Sequence, residues 1–349
     1  MKALTVEPMR AGSAALEDVP EPSENMGSIL VSAIALGVCG TDMEILSGQY
    51  GWPPPGRQRL IIGHESLGKV IEAPADAQVS PGDLVVGIVR RPDPVPCYSC
   101  ARGEWDFCRN GEYTEHGIKS LDGYCAERFR LDPSFTVKVD NTLGVLGVLL
   151  EPTSIVAKAW EQIEKVGNRT YWEPHKVLIT GAGPIGLLAA LLATQRNMEV
   201  HVLDRVDGGR KPELVRKLGA TYHQGTVKQA LPDADVIIEC TGASQVVLDA
   251  IENIGDGGVV CLTGVSSGGR KLVVDAGGLN KNMVLENEAV VGSVNANRRH
   301  YVAAAEALAR ADKEWLSGLI SRKVSLDNWS DAFSRQENDV KVVIQIGEI

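Results

Sequence analysis

Up to about residue 155 the chain sets short apolar runs between glycines and prolines, at residues 29–36, 68–71 and 83–89. Short runs rich in β-branched side chains and bounded by turn formers predict strands, so this part is expected to be strand-rich. From about 156 to 296 the texture changes. Strand-like runs at 177–180, 199–204, 235–240, 258–263 and 289–294 alternate with helical stretches. That alternation predicts parallel strands joined by crossover helices, the doubly wound arrangement. The tail carries a helical pattern over 300–311 and ends in an apolar run at 342–346, a strand with no partner in the preceding segment. It is expected to return to the first part. The predicted organisation is therefore a β-rich domain from 1–155 with 297–349, and an α/β domain from 156–296.

Length agrees with two cores, since 349 residues exceed one ordinary domain of roughly 100–200 residues. A composition 44% hydrophobic, with 37 glycines, suits a globular protein with many tight turns and excludes a disordered or fibrous one. The net charge of -10, without a Lys/Arg-rich run, repels a phosphate backbone and makes nucleic acid an unexpected partner. No eighteen apolar residues follow one another, and the N-terminus reaches Glu7 and Pro8 before any run of leader length. The expected location is the cytoplasm, with no membrane partner. Seven cysteines, three of them crowded at 97–108, point to metal ligation rather than to a disulfide scaffold.

In Gly181-Ala182-Gly183-Pro184-Ile185-Gly186 a strand-like run enters a glycine turn and leaves as a helical stretch. Gly181 allows the tight turn, Gly183 lets a pyrophosphate approach the backbone, and Gly186 lets helix and strand pack closely. Asp204, at the end of the next strand, is placed to bond the hydroxyls of an adenosine ribose. It favours NAD. Arg205, Arg210 and Lys211 follow and could instead greet the 2′-phosphate of NADP, although a solvated loop charge explains Arg205 as well.

Cys39 and His64 each lie in a glycine-lined bend after an apolar run, and thiolate and imidazole are the ligands that zinc prefers. Either alone reads as an ordinary core residue; together, upstream of a nucleotide fold, they predict a metal site. Glu151, after Leu149-Leu150, is the expected third ligand, with Glu65 as its competitor or as a group that orients the site. Cys97, Cys100 and Cys108 predict a second, structural zinc in a polar, turn-rich loop, with Asp93 available as fourth donor. The alternative is a degenerate loop without metal. Cys125, Cys240 and Cys261 lie in apolar surroundings and are expected to fill space.

Taken in order, Cys39-Gly40-Thr41-Asp42, Gly63-His64-Glu65, the cysteine lobe, Glu151-Pro152, the nucleotide fold and the returning tail resemble the medium-chain zinc dehydrogenase/reductase family over essentially the whole chain. Val89-Arg90-Arg91, Glu115-His116-Gly117-Ile118, Asp122-Gly123-Tyr124 and Gly292-Ser293-Val294-Asn295 are similar to the text of archaeal-type glucose (aldose) 1-dehydrogenases. The resemblance implies a GroES-like catalytic domain beside a Rossmann domain, and a catalytic zinc on Cys39, His64 and Glu151 with Glu65 at the metal, water or sugar. It also implies that Thr41 and Glu65 serve catalysis, that Thr41, Glu115, His116, Glu151 and Asn295 face the substrate, and that Pro184, Ile185, Thr241, Thr263 and Asn295 join the glycines at the nucleotide. The implied reaction passes a hydride from C1 of an aldose to NAD or NADP, giving the lactone, in a homotetramer. Rivals are a sorbitol, threonine or simple alcohol dehydrogenase, a zinc-free quinone reductase relative, and a structural protein that keeps the fold without the chemistry. Two departures stand out: Pro94 occupies the position of the family's first lobe cysteine, and Val89 replaces a polar residue found in some sugar dehydrogenases.

Overall fold

The computed structural model describes residues 1–266 and 271–348. The chain divides into two compact units, Met1–Ser154 with Asn295–Ile349, and Ile155–Val294. Asn295 and Ala296, expected with the nucleotide domain, fall in the first unit.

The first unit is built on a seven-stranded sheet in which Thr136–Val139, Leu84–Gly87, Glu65–Glu72, Ile29–Gly37, Lys341–Gln345 and Ile320–Ser325 lie side by side, with Arg128–Leu131 also paired to Ile29–Gly37. Ile29–Gly37 is central because its side chains are apolar on both faces for most of its length, as a strand covered on both sides requires. The closing strand Lys341–Gln345 docks antiparallel to it, with Val343 opposite Gly37 and Ile344 opposite Leu36, so the tail does return to the first part. Glu65–Glu72 flanks Ile29–Gly37 on the other side, with Glu65 opposite Gly37. The ends of three strands thus meet at one place, next to the bend that carries Cys39.

The second unit is a six-stranded parallel sheet in the order Thr221–His223, Glu199–Leu203, Lys176–Thr180, Ala234–Glu239, Ile254–Leu262, Ala289–Gly292. The first strand in the chain lies in the middle and the direction of winding reverses beside it, which is the dinucleotide-binding order. Thr221–His223 was not anticipated from the sequence: three polar residues carry no periodic signal, and the strand exists through its pairing with Glu199–Leu203. Among the described residues one stretch, Asn141–Gly167, is long and apolar enough to cross a membrane, and it is 78% buried within the fold. Its second part, the helix Leu150–Gly167, places Glu151 and Pro152 in its first turn, where proline costs no hydrogen bond.

Candidate active site

Cys39 lies just before the helix Gly40–Leu46, and Asp42 closes that end by accepting the Cys39 N–H at 2.9 Å. Asp42 is fully buried, and its Oδ1 lies 3.4 Å from His64 Nδ1. Neither atom has another partner among the described residues; the ring is turned with Nδ1 toward the carboxylate, and Nε2 is left for an ion. Donor atoms of Cys39, His64 and Glu65 all lie within 4.8 Å of one another. Glu151 stands outside that trio but close enough to feel His64, Glu65 and Lys341; burial pushes its carboxyl up to about 8, His64 opposes the rise and Glu65 adds to it. Burial disfavours a charged His64, yet Asp42 and Cys39 outweigh it and lift the imidazole well above its ordinary value. Several buried acids around one soft donor pair form the setting that a dication satisfies, so the residues fit zinc. Thr41 lies beside the thiol, its Oγ1 4.0 Å from Cys39 Sγ.

Glu115 is buried in the short strand Thr114–His116, where Arg90 Nε donates to its Oε1 at 3.0 Å and Asn295 Nδ2 donates to the same oxygen at 2.7 Å. Arg90 is stacked on the Tyr113 ring. Glu115 and Asn295, expected near the sugar, are thus brought together, and Arg90 joins them. His116 is not. Neighbours in a strand point to opposite faces, and His116 stacks on Tyr124 with Nδ1 2.7 Å from Asp122 O. Burial, with Arg91 nearby, pulls its imidazole down to about 3. His116, expected beside Glu115 at the sugar or else on an exposed loop, is an interior group turned to Tyr124 and Asp122.

In the lobe, the three thiols of Cys97, Cys100 and Cys108 lie within 4.8 Å of one another. Backbone N–H groups of Cys100 and Arg109 pull Cys97 down to about 6, as suits a thiolate ligand. Asp93 lies outside that group; its Oδ1 accepts the Val95 N–H and its Oδ2 the Asn110 side chain.

In the second unit Gly181 takes a left-handed φ of 90°, and a Cβ on Gly186 would lie 1.7 Å from Gly181 O. Gly183, by contrast, faces open space at the head of the helix Pro184–Thr194, and its N-cap position carries no side-chain bond. Pro184, Ile185 and Gly186 form the first turn of that helix. These are the requirements of a pyrophosphate resting on a helix N-terminus. Asp204 Oδ2 accepts the Ala182 N–H at 2.7 Å with Lys211 3.6 Å away, while Arg205 is exposed. Thr241 and Thr263 are tied to Glu239: the first donates to its carboxylate and the second to its carbonyl. Glu239 is wholly buried and also accepts from Thr180 and Gly242, which fixes the strand ends beneath the glycine turn.

Four residues with roles here were missed from the sequence: Asp42, Arg90, Glu239 and Lys341. Asp42 had a local signal, its spacing of three from Cys39 at a helix start. Lys341 had only its place at the head of an apolar strand.

Residues 25–141 match the model of the alcohol dehydrogenase GroES-like domain, and residues 144–346 match that of the glucose dehydrogenase C-terminus. The glucose 1-dehydrogenase of Methanocella arvoryzae is 37% identical, with 99% of this chain and 100% of that protein covered. The glucose 1-dehydrogenase 1 of Caldivirga maquilingensis is 39% identical over the whole of both chains. Among solved structures, the Haloferax mediterranei glucose dehydrogenase in complex with NADP, Zn and gluconolactone superposes with a TM-score of 0.92 at 31% identity, covering all of both chains. With the glycine turn, the paired acids and the Cys39–His64 donors in place, the chain belongs to the medium-chain zinc dehydrogenase family, in its glucose dehydrogenase branch.

Proposed function

We propose that this protein oxidises C1 of a glucose-like aldose to the aldonolactone and delivers the hydride to NAD or NADP. The observation that carries the reading is the convergence of Cys39, His64 and Glu65, with buried Glu151 near them, in the unit that also holds Glu115 and Asn295. Full-length similarity to glucose 1-dehydrogenases supports the substrate.

Cys39, His64 and Glu151 would hold the catalytic zinc, which when bound supplies Lewis acidity that eases loss of the hydroxyl proton. Asp42 orients His64. Thr41, beside the thiol, starts the path by which the proton leaves. Glu115, set by Arg90 and Asn295, keeps one oxygen for a sugar hydroxyl. A polar group so placed rejects substrates that leave it unpaired in a dry site. The nicotinamide cofactor supplies the hydride acceptor; the glycine turn, with Pro184 and Ile185, holds its pyrophosphate, and Asp204 with Arg205 meets the ribose. Thr241, Thr263 and Asn295 border the remainder of the dinucleotide. The three lobe thiols take a second zinc, with Asp93, bonded to Val95 and Asn110, as the candidate fourth donor.

The open sheet edge Ala289–Gly292, beside the helix Ala276–Leu285 with exposed Val284 and Leu285, suits pairing with a second copy, two such pairs making a tetramer. Seven free cysteines suit a reducing cytoplasm. The test is steady-state kinetics on glucose, galactose, xylose, arabinose, sorbitol, threonine and ethanol with each nucleotide. Turnover of aldoses to lactone supports the reading, and preference for a non-sugar overturns it.

A further inference from the structure

Glu65 presents a choice that the metal site must resolve. Its carboxylate is near enough to Cys39 and His64 to join an ion, and Glu151 stands close by as another candidate. Zinc at a catalytic centre needs three protein ligands and one exchangeable position, whereas four protein ligands make a closed structural site. Something must keep one of the two carboxylates off the ion.

Lys341 is placed to do so. It heads the closing strand Lys341–Gln345, is 3% exposed, and directs its ammonium at Glu65 Oε1 at 2.6 Å and Oε2 at 2.7 Å. Its third bond, at 3.0 Å, goes to the carbonyl of Val38, next to Cys39. All three donors are thereby used, so this cation is not free to serve the sugar. Both Glu65 oxygens are engaged in charge-assisted bonds inside a dry interior, where such bonds are strongest. Gly37, opposite Glu65 in the ladder, makes room: a Cβ there would lie 2.0 Å from Glu65 Oε2. Glu151 carries no such clamp: it is 6% exposed and no hydrogen bond reaches its carboxylate among the described residues, so it is the acid with an unmet need for a cation.

We propose that Lys341 selects the ligand set: by holding both oxygens of Glu65 it keeps that carboxylate beside the ion, leaves Glu151 as the third protein ligand, and preserves the open position for the substrate hydroxyl. This rests on the reading of Cys39 and His64 as zinc ligands. Lys341 is a positioning residue, acting through Glu65.

Cobalt(II) bound to the metal-stripped protein gives a readout independent of turnover. In Lys341→Met the ammonium that holds Glu65 is gone and the ion is the cation left beside it. Cobalt and zinc affinities, measured by chelator competition, should rise at least tenfold, the visible cobalt bands should shift as a carboxylate enters the coordination sphere, and kcat should fall more than tenfold with nucleotide affinity unaltered. Lys341→Arg should retain the wild-type spectrum. The double variant Glu65→Gln with Lys341→Met should return to it as well, because no anion is left to enter. Glu65→Gln alone should leave affinity and spectrum as in wild type, and it decides the matter if Lys341→Met does not fold. A wild-type spectrum and affinity in folded Lys341→Met, or a tenfold loss of metal affinity in Glu65→Gln, would overturn the proposal while leaving the zinc site intact. Wild-type protein that binds no cobalt at Cys39 and His64 would overturn the zinc reading and this proposal together.

Discussion

A neutral imidazole has one donor and one acceptor nitrogen, and at His64 the Nδ1 side faces the buried carboxylate of Asp42. That contact fixes ring orientation and tautomer, so Asp42→Asn should lower zinc affinity by about 10–100-fold without unfolding the protein. Chelator competition measures it, and unchanged affinity would remove Asp42 from the site. At the nucleotide, Asp204 meets Ala182 N–H and Lys211 with one oxygen. Removing its charge in Asp204→Ala should release Lys211 and lift repulsion of a 2′-phosphate, raising kcat/KM with NADP relative to NAD by about tenfold or more. An unmoved ratio of the two specificity constants would show that nucleotide choice lies elsewhere. Cys39 and His64, which the structure brings together with Glu65, were legible in the sequence because ligand chemistry belongs to the side chain itself. Asp42, Arg90 and Lys341 were not, because a carboxylate or a cation acquires its role from what folds against it.

The strand, glycine turn and helix from Lys176 to Thr194 show how an element constrains its residues. Gly186 and Gly183 differ only in surroundings: a Cβ on the first meets backbone at 1.7 Å, while the second faces empty space. Gly186→Ala should therefore destabilise the nucleotide unit by about 3 kcal/mol or more. Gly183→Ala should melt as wild type but bind dinucleotide at least tenfold more weakly, since its methyl occupies the pyrophosphate position. Calorimetry with nucleotide titration separates the two, and equal melting temperatures would defeat the contrast. The turn was legible because strand, glycine spacing and helix are consecutive in the chain. Thr221–His223 was not, for its hydrogen bonds come from a neighbouring strand rather than from its own pattern. In the lobe the thiols are near in sequence and near in space, yet Asp93 bonds Val95 and Asn110 and falls outside their group, which spacing does not reveal.

At the scale of the molecule, His116 links the interior of the first unit to pH. Its imidazole titrates at about 3 when folded, because burial and then Arg91 disfavour the charged ring, against an ordinary value of 6.5. Between those values the unfolded chain holds the extra proton, so stability rises with pH through this window and is lost as the solution is acidified. His116→Gln should lessen the drop in unfolding free energy between pH 7 and pH 5 by roughly 2 kcal/mol, and identical urea-unfolding drops would refute it. The sequence by itself determined the features that depend on near neighbours: a strand-rich part and an alternating part, the glycine turn, and the thiol and imidazole of the candidate metal site. Only the tertiary structure decided which buried acid acquires which cation. Lys341 reaches Glu65 across 276 residues because the closing strand docks on Ile29–Gly37, and Glu115 meets Asn295 across 180. Burial removes water as an alternative partner, so each of these charges must be answered by whatever distant group the fold brings beside it, and no local pattern records that pairing.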